Sequence, residues 1–257
     1  MLCRPARQPA LLLACLLVCA PLTLKSNSLA APPLNLPARE SLQYTVEWRL
    51  ITAGSAKLVW NGDMDGSRAQ LRLESTGLIS KFYRVLDEYS AVLRPDLCTS
   101  SSHMTALEGG RNRETSITYD GRRKKASRVE KDRAKNTVID SREIDIPACV
   151  HDVVGGLYFL RTLELEPGQS TQVPVSDGKK SVMARVEAQQ REEVKTPSGT
   201  HRTIRYEIFL FNNVLYRRPG HVHVWLTDDA RRVPVQIRVR LPFAIGTINL
   251  QLEKEEP

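Results

Sequence analysis

Residues 221–253, HVHVWLTDDARRVPVQIRVRLPFAIGTINLQLE, read as three consecutive β-strands. Val222, Val224 and Leu226 share one face of the first, and His221, His223 and Trp225 share the other. Val233, Val235, Ile237, Val239 and Leu241 line one side of the second, while Gln236, Arg238 and Arg240 point away. In the third, Gly246, Ile248, Leu250 and Leu252 alternate with Thr247, Asn249 and Gln251. A period of two means that each strand buries one side and wets the other, as in an antiparallel sheet with one apolar face. Thr227-Asp228-Asp229-Ala230-Arg231 supplies the turn, because Asp carboxylates bond nearby backbone N–H groups.

The same alternation recurs upstream. Leu42, Tyr44, Val46, Trp48 and Leu50 alternate with polar residues. After a break expected at Gly54-Ser55, Ala56, Leu58 and Trp60 continue to an expected hairpin turn at Asn61-Gly62. Ala69, Leu71 and Leu73 mark a third strand. Residues 77–85 (GLISKFYRV) change to helical spacing and predict a short helix or looped turn. Strands are expected again at 88–94, 99–107, 114–119 and 126–130, whereas 131–140 is too polar to place. Residues 149–166 (CVHDVVGGLYFLRTLELE) are the best helix, capped by Asp152 and ended by Pro167-Gly168. Gly155-Gly156 costs that helix about 1 kcal/mol per residue relative to Ala, which points to close packing or a bend. Strands return at 169–175, 181–190, 192–196 and 200–211. The expected fold is mainly β: a strongly curved antiparallel sheet or open barrel of about 10–13 strands, with one main covering helix near 152–163.

Residues 1–30 carry Arg4 and Arg7, then the apolar run 10–22 (ALLLACLLVCAPL), then Ser28-Leu29-Ala30. That order predicts a secretory signal peptide cleaved near Ala30, with export to the periplasm or beyond. Lipidation at Cys15 or Cys19 is the rival reading, although neither is preceded by a good lipobox. Residues 31–40 (APPLNLPARE) read as a Pro-rich linker, and 41–257 as a single β domain. No later stretch approaches the ~20 apolar residues of a membrane span, so the exported part is expected to be soluble.

The formal net charge is +8, and much of it sits in residues 122–135 (RRKKASRVEKDRAK). A solvated hairpin accounts for such a run, with an anionic envelope surface as the sharper alternative. Nucleic acid is not an expected partner, because no aromatic residues interleave with the basic ones. Without the leader, two of the five cysteines remain, Cys98 and Cys149. In an oxidising compartment they are expected to form a disulfide.

Catalytic and metal motifs are weak. His221 and His223 lie two apart on one strand face with Asp228 and Asp229 nearby, but zinc needs three or four ligands, and His201 would have to come from an adjacent strand. His103 and His151 stand alone. His151 would be the most plausible general base, yet no nucleophile elbow accompanies it, and a disulfide would consume Cys149. Asp87-Glu88 and Glu192-Glu193 place neighbouring carboxylates on opposite strand faces. No catalytic residue, metal site or cofactor is expected.

Tyr44-x-Val46-x-Trp48, Gly54-x-Ala56-x-Leu58, Asp152 followed by Leu157-Tyr158-Phe159-Leu160-Arg161, Pro167-Gly168, Val173-Pro174-Val175, Thr196-Pro-Ser-Gly-Thr200 and residues 224–235 (VWLTDDARRVPV) occur in an order that resembles an exported bacterial family, domain of unknown function 3108. The resemblance covers nearly all of 41–253, and its motifs are structural. The closing pattern also resembles the end of periplasmic lipoprotein-localisation carriers, which implies a half-open barrel with helices closing an apolar cavity. The function expected is a non-enzymatic binding or assembly module of the cell envelope. Its concave sheet face would take a lipid or acyl chain through Val153, Leu157, Leu160, Val224, Val235, Ile237, Ile248 and Leu250. Partners are expected to be a lipid, a lipoprotein or an envelope protein, on a monomer. A β-scaffold without ligand is the alternative, and a hydrolase of envelope polymers ranks last.

Overall fold

Tyr44 and Leu252, from opposite ends of the chain, are cross-strand partners in the middle of one sheet. The computed structural model describes residues 36–63, 65–244 and 246–256. Its first half is a meander: β1 (Arg39–Trp48), β2 (Ile51–Asp63), β3 (Gly66–Ser75), helix α1 (Gly77–Phe82), β4 (Val85–Leu93), β5 (Thr99–Glu108), β6 (Arg111–Asp120), β7 (Lys125–Asp132) and β8 (Thr137–Asp145). Helix α2 (Val153–Leu160) follows, then β9 (Ser170–Ser176), β10 (Ser181–Thr196), β11 (Gly199–Ile208), β12 (His221–Thr227), β13 (Pro234–Arg240) and β14 (Thr247–Glu256). Neighbouring strands pair antiparallel, and β1 pairs with β14. The order is β8-β7-β6-β5-β4-β3-β2-β1-β14-β13-β12-β11-β10-β9.

The sheet is therefore open, with β8 and β9 as its edges, and the chain crosses between them through residues 146–169. That crossing segment is stitched to both halves. Thr99 N–H donates to Val150 O at 2.9 Å, His151 N–H donates to Pro174 O at 2.9 Å, and Ser176 N–H donates to His151 O at 2.9 Å. The expected Cys98–Cys149 disulfide is present, with the two Cα atoms 5.2 Å apart, and it fixes the segment beside the start of β5. Tyr119 Oη reaches Ser176 O at 3.3 Å, so β6 closes on β9 without pairing with it. The curvature brings the apolar faces of both halves inward, where their side chains form the core.

Several sequence-based expectations fail for local reasons. The sheet has fourteen described strands, just above the expected 10–13: the polar stretch 137–145 adds β8, while 181–196 is one bulged strand rather than two. As an edge strand, β8 buries neither face and so shows no period. Gly54-Ser55 does not break the chain; the reversal is at Arg49-Leu50, both with positive φ. An added Cβ on Gly54 would lie 2.1 Å from Glu74 O, so glycine here allows close backbone approach beside a bulge. Asn61-Gly62 is not a turn either, since Asn61 pairs with Arg68 and Gly62 with Ser67 inside the β2–β3 ladder. Strand β11 ends at Ile208, and an irregular loop runs from there to β12. The helix spans 153–160 rather than 149–166. The expected leader lies outside the described residues, as does 31–35 of the expected linker. Arg39 and Glu40 already belong to β1, and Pro37 O accepts from Trp60 Nε1 at 2.9 Å.

Candidate functional site

Helix α2 is placed by the two residues that cap it. Asp152 is buried at the N-cap. Its Oδ1 accepts from Thr99 Oγ1 at 2.7 Å and from Gly155 N–H at 3.2 Å. Its Oδ2 accepts from Tyr89 Oη at 2.6 Å and from Val154 N–H at 3.0 Å. One carboxylate thus caps the helix and joins it to β4 and β5. Burial, reinforced by Asp152, pushes the Tyr89 hydroxyl well above the usual tyrosine range, so it stays a donor.

At the other end Arg161 is buried and forks onto Glu40, Nη1 to Oε2 at 2.5 Å and Nη2 to Oε1 at 2.9 Å. Between the caps, Tyr158 stacks on Trp60 with ring centroids 4.2 Å apart, and Phe159 stacks on His151 at 4.1 Å. The motif Leu157-Tyr158-Phe159-Leu160-Arg161 is thus the set of contacts that seats the helix on the sheet.

Under α2 the sheet is not filled. A cavity of about 330 Å³ lies between the helix, the inner face of β9–β14 and the loop from β11 to β12. The wall is aliphatic: Leu157 and Leu160 from α2, Val173 and Val175 from β9, Ala184 and Val186 from β10, and Val222, Val224, Ile237, Val239 and Leu250 beyond. Three wall residues carry polar side chains. Asp152 is engaged as above, and Tyr44 Oη donates to Pro234 O at 2.7 Å. The third is Tyr216, whose hydroxyl is pushed up to about 12 by burial. Val222, Ile237, Val239 and Leu250 face inward yet are only half-buried, as side chains bordering an open space must be.

The glycine pair divides its duties. An added Cβ on Gly155 would lie 2.6 Å from Asp152 Oδ1 and 3.0 Å from Leu93 Cδ2, so this residue permits the close seat of the cap. On Gly156 it would meet only His151 Cβ, at 3.8 Å, and Gly156 lines the cavity.

Of the eight residues expected to form the apolar site, Val153, Leu157, Leu160, Val224, Ile237 and Leu250 line this cavity. Val235 and Ile248 do not. Val235 is the extra residue of a bulge, since Trp225 pairs with Gln236 and Leu226 with Pro234, and it packs in the closed core. Ile248 packs against that same core. The sequence reading missed Leu210, Phe211 and Tyr216, which come from the β11–β12 loop and cover the cavity opposite the helix. Their signal was apolar side chains crowded around Asn212-Asn213 and Arg217-Arg218-Pro219, a turn-rich segment with no other reason to hold them.

The polar candidates are dispersed. His221 Nδ1 is 2.8 Å from Glu207 Oε1, and His223 Nε2 is 3.8 Å from Glu207 Oε2. His201 lies toward the opposite end of β11, 3.0 Å from Ser198 Oγ. Asp228 and Asp229 follow the far end of β12, the first bound to Arg191 and the second to Thr227. Among the described residues no three His, Cys, Asp or Glu side chains converge as a metal site would require. His151 is buried, with Nδ1 3.0 Å from Leu97 O, and burial lowers its pKa. It packs against Phe159 as a buried, neutral ring. Within the basic run Arg128 is buried and bound to Asp140 and Glu130, Lys125 is bound to Asp145, and Arg123 lies 3.7 Å from Glu143, so these three are paired within the hairpins of β6, β7 and β8.

No curated protein matches the chain significantly. Among solved structures, a β-barrel-like protein of domain of unknown function DUF1849 from Brucella abortus is similar at 8% identity and TM-score 0.59, over 86% of this chain and 98% of that one. A DUF1089 family protein from Pseudomonas aeruginosa is similar at 14% identity and TM-score 0.40, over 73% of this chain and 90% of that one. The first likeness concerns the fold alone. The profile described as "Protein of unknown function (DUF3108)" matches residues 43–253, and the chain belongs to that family.

Proposed function

We propose that this protein is an exported envelope protein that binds a lipid, holding an acyl chain in the cavity beneath α2. The observation that carries this reading is the cavity itself. Its volume falls in the range of small-molecule sites, and its lining is almost wholly apolar. Apolar cavities hold water poorly and take apolar ligands instead. With Asp152 and Tyr44 already committed, the interior offers no charge to a polar substrate, so a headgroup would remain at the mouth. Export is supported by the leader-like residues 1–30 and by the Cys98–Cys149 bond, which suits an oxidising compartment. Binding without chemistry is supported by the commitments of His151 and Cys149.

The test is titration with a fluorescent fatty acid, comparing the protein with Gly156→Leu. The leucine has room at its Cβ and would project where the ligand lies. Saturable binding that Gly156→Leu removes, with the fold intact by circular dichroism, is the expected result. No binding, or binding unchanged in the variant, would overturn the proposal.

A further inference from the structure

Beyond the cavity, one end of the sheet differs from the rest of the surface. Four neighbouring connections make up its middle, Arg49-Leu50 between β1 and β2, 76–84 (TGLISKFYR) between β3 and β4, 209–220 (FLFNNVLYRRPG) between β11 and β12, and 241–246 (LPFAIG) between β13 and β14, with the turns at 109–110, 133–136 and 177–180 at its flanks. Strand pairing puts them side by side, since Trp48 pairs with Ile51 and Ile248, Arg240 with Thr247 and His221, and Ile208 with Val222. Thr76 N–H, at the entry to α1, donates to Ala53 O at 2.9 Å, bringing that helix to the start of β2.

These connections hold five of the ten exposed large hydrophobic side chains among the described residues, and Ile51, the first residue of β2, is a sixth beside them. Leu50 is 94% exposed, Phe243 93% and Phe82 86%, with Ile51, Leu78 and Tyr83 beside them. Single exposed apolar residues need no explanation, but this concentration at one end does. Helix α1 has no buried residue, so its apolar side chains do not serve the core. The same four segments contain Arg49, Lys81, Arg84, Arg217 and Arg218 and no Asp or Glu. Of the carboxylates around these segments, Glu47 is bound by Asn249 and Gln251, Glu74 by Arg72 and Glu207 by His221, Asp177 accepts from the backbone of Lys179 and Lys180, and Asp87 and Glu108 lie together on β4 and β5 at the flank.

We infer that this end docks on an anionic phospholipid bilayer, with Leu50, Phe82 and Phe243 entering the interface and the arginines and Lys81 meeting the headgroup phosphates. Apolar tips whose own segments carry five basic and no acidic residues match such a surface in both solubility and charge. A protein partner would call for a shaped hydrophobic core with a mixed polar rim, whereas the charges carried by these four connections are all positive. Val222, Val239, Phe211 and Tyr216 line the cavity at or near this end, so docking would bring its mouth toward lipid. The inference does not require the cavity to be occupied.

The experiment is flotation of the purified protein with vesicles of phosphatidylcholine mixed with phosphatidylglycerol, and with vesicles of phosphatidylcholine alone. The protein should bind the mixed vesicles and release as salt rises. Phe82→Ser with Phe243→Ser should weaken that binding by about tenfold or more, as lost insertion of two rings implies. Arg217→Gln with Arg218→Gln should weaken it too and flatten the salt dependence. Unchanged thermal unfolding would verify that these exposed changes leave the fold intact. Failure to bind the mixed vesicles would overturn the inference, as would binding indifferent to the phenylalanine changes. Self-association abolished by the phenylalanine changes, without vesicle binding, would assign the surface to a second copy instead.

Discussion

Arg161 and Glu40 form a buried two-pronged ion pair, 0% and 3% exposed at their side chains, joining the end of α2 to the first strand. Arg161 also donates to Arg231 O at 3.0 Å, so a single guanidinium ties the helix to β1 and to the turn before β13. Removing one member of such a pair strands a charge without water. Glu40→Gln should cost about 3–5 kcal/mol in urea unfolding. Glu40→Leu with Arg161→Leu should cost less than Glu40→Gln alone. If Glu40→Gln proves neutral, the pair does not anchor the helix.

The disulfide closes a separation of 51 residues. Loop-closure entropy for a loop of this size amounts to about 4 kcal/mol. Cys98→Ser with Cys149→Ser should lower stability by about that amount and loosen the segment carrying Val150, His151 and Asp152. Hydrogen exchange at Thr99 and His151 measures this directly. Protection equal to that of the oxidised protein would show that the hydrogen bonds suffice.

Asp87 provides a pH test. Burial, with the Glu108 carboxylate adding to it, pushes Asp87 from 3.8 up to about 6. The folded state therefore holds this proton more tightly than the unfolded chain does. Its contribution to stability is complete below about pH 4 and is lost as pH rises through about 6. Asp87→Asn removes the titration, so its stability relative to the wild type should improve between about pH 4 and about pH 7. A constant offset in urea midpoints would contradict the assignment.

The two glycines of α2 should respond oppositely. Gly155→Ala forces a Cβ against the Asp152 carboxylate and should destabilise. Gly156→Ala has open space and should gain up to about 1 kcal/mol in helix propensity. Thermal unfolding of the two single variants distinguishes them, and an equal response would mean the cavity does not extend to Gly156.

Residues whose structure depends on one buried face were legible in the sequence. Val224, Ile237 and Leu250 alternate because water is excluded from one side, and they occupy the inner face as expected. Asp152 announced the helix through its capping chemistry. Val138 and Ile139 escaped notice because an edge strand makes its backbone bonds without burying either face. Val235 was misplaced because a bulge shifts the alternation by one residue, and only the partner strand reveals it. Glu40 and Arg161 lie 121 residues apart, a separation at which no local pattern connects them. Phe211 and Tyr216 sit in an irregular loop, where apolar residues have no period to betray their role.

The most direct test of lipid binding is native mass spectrometry of the protein released gently from cells, alongside Gly156→Leu. Acyl-chain binding beneath α2 predicts a population carrying an acyl-lipid mass on the wild-type protein and the bare mass for the variant. Wild-type protein that carries no lipid, even after incubation with envelope lipid extract, would contradict it.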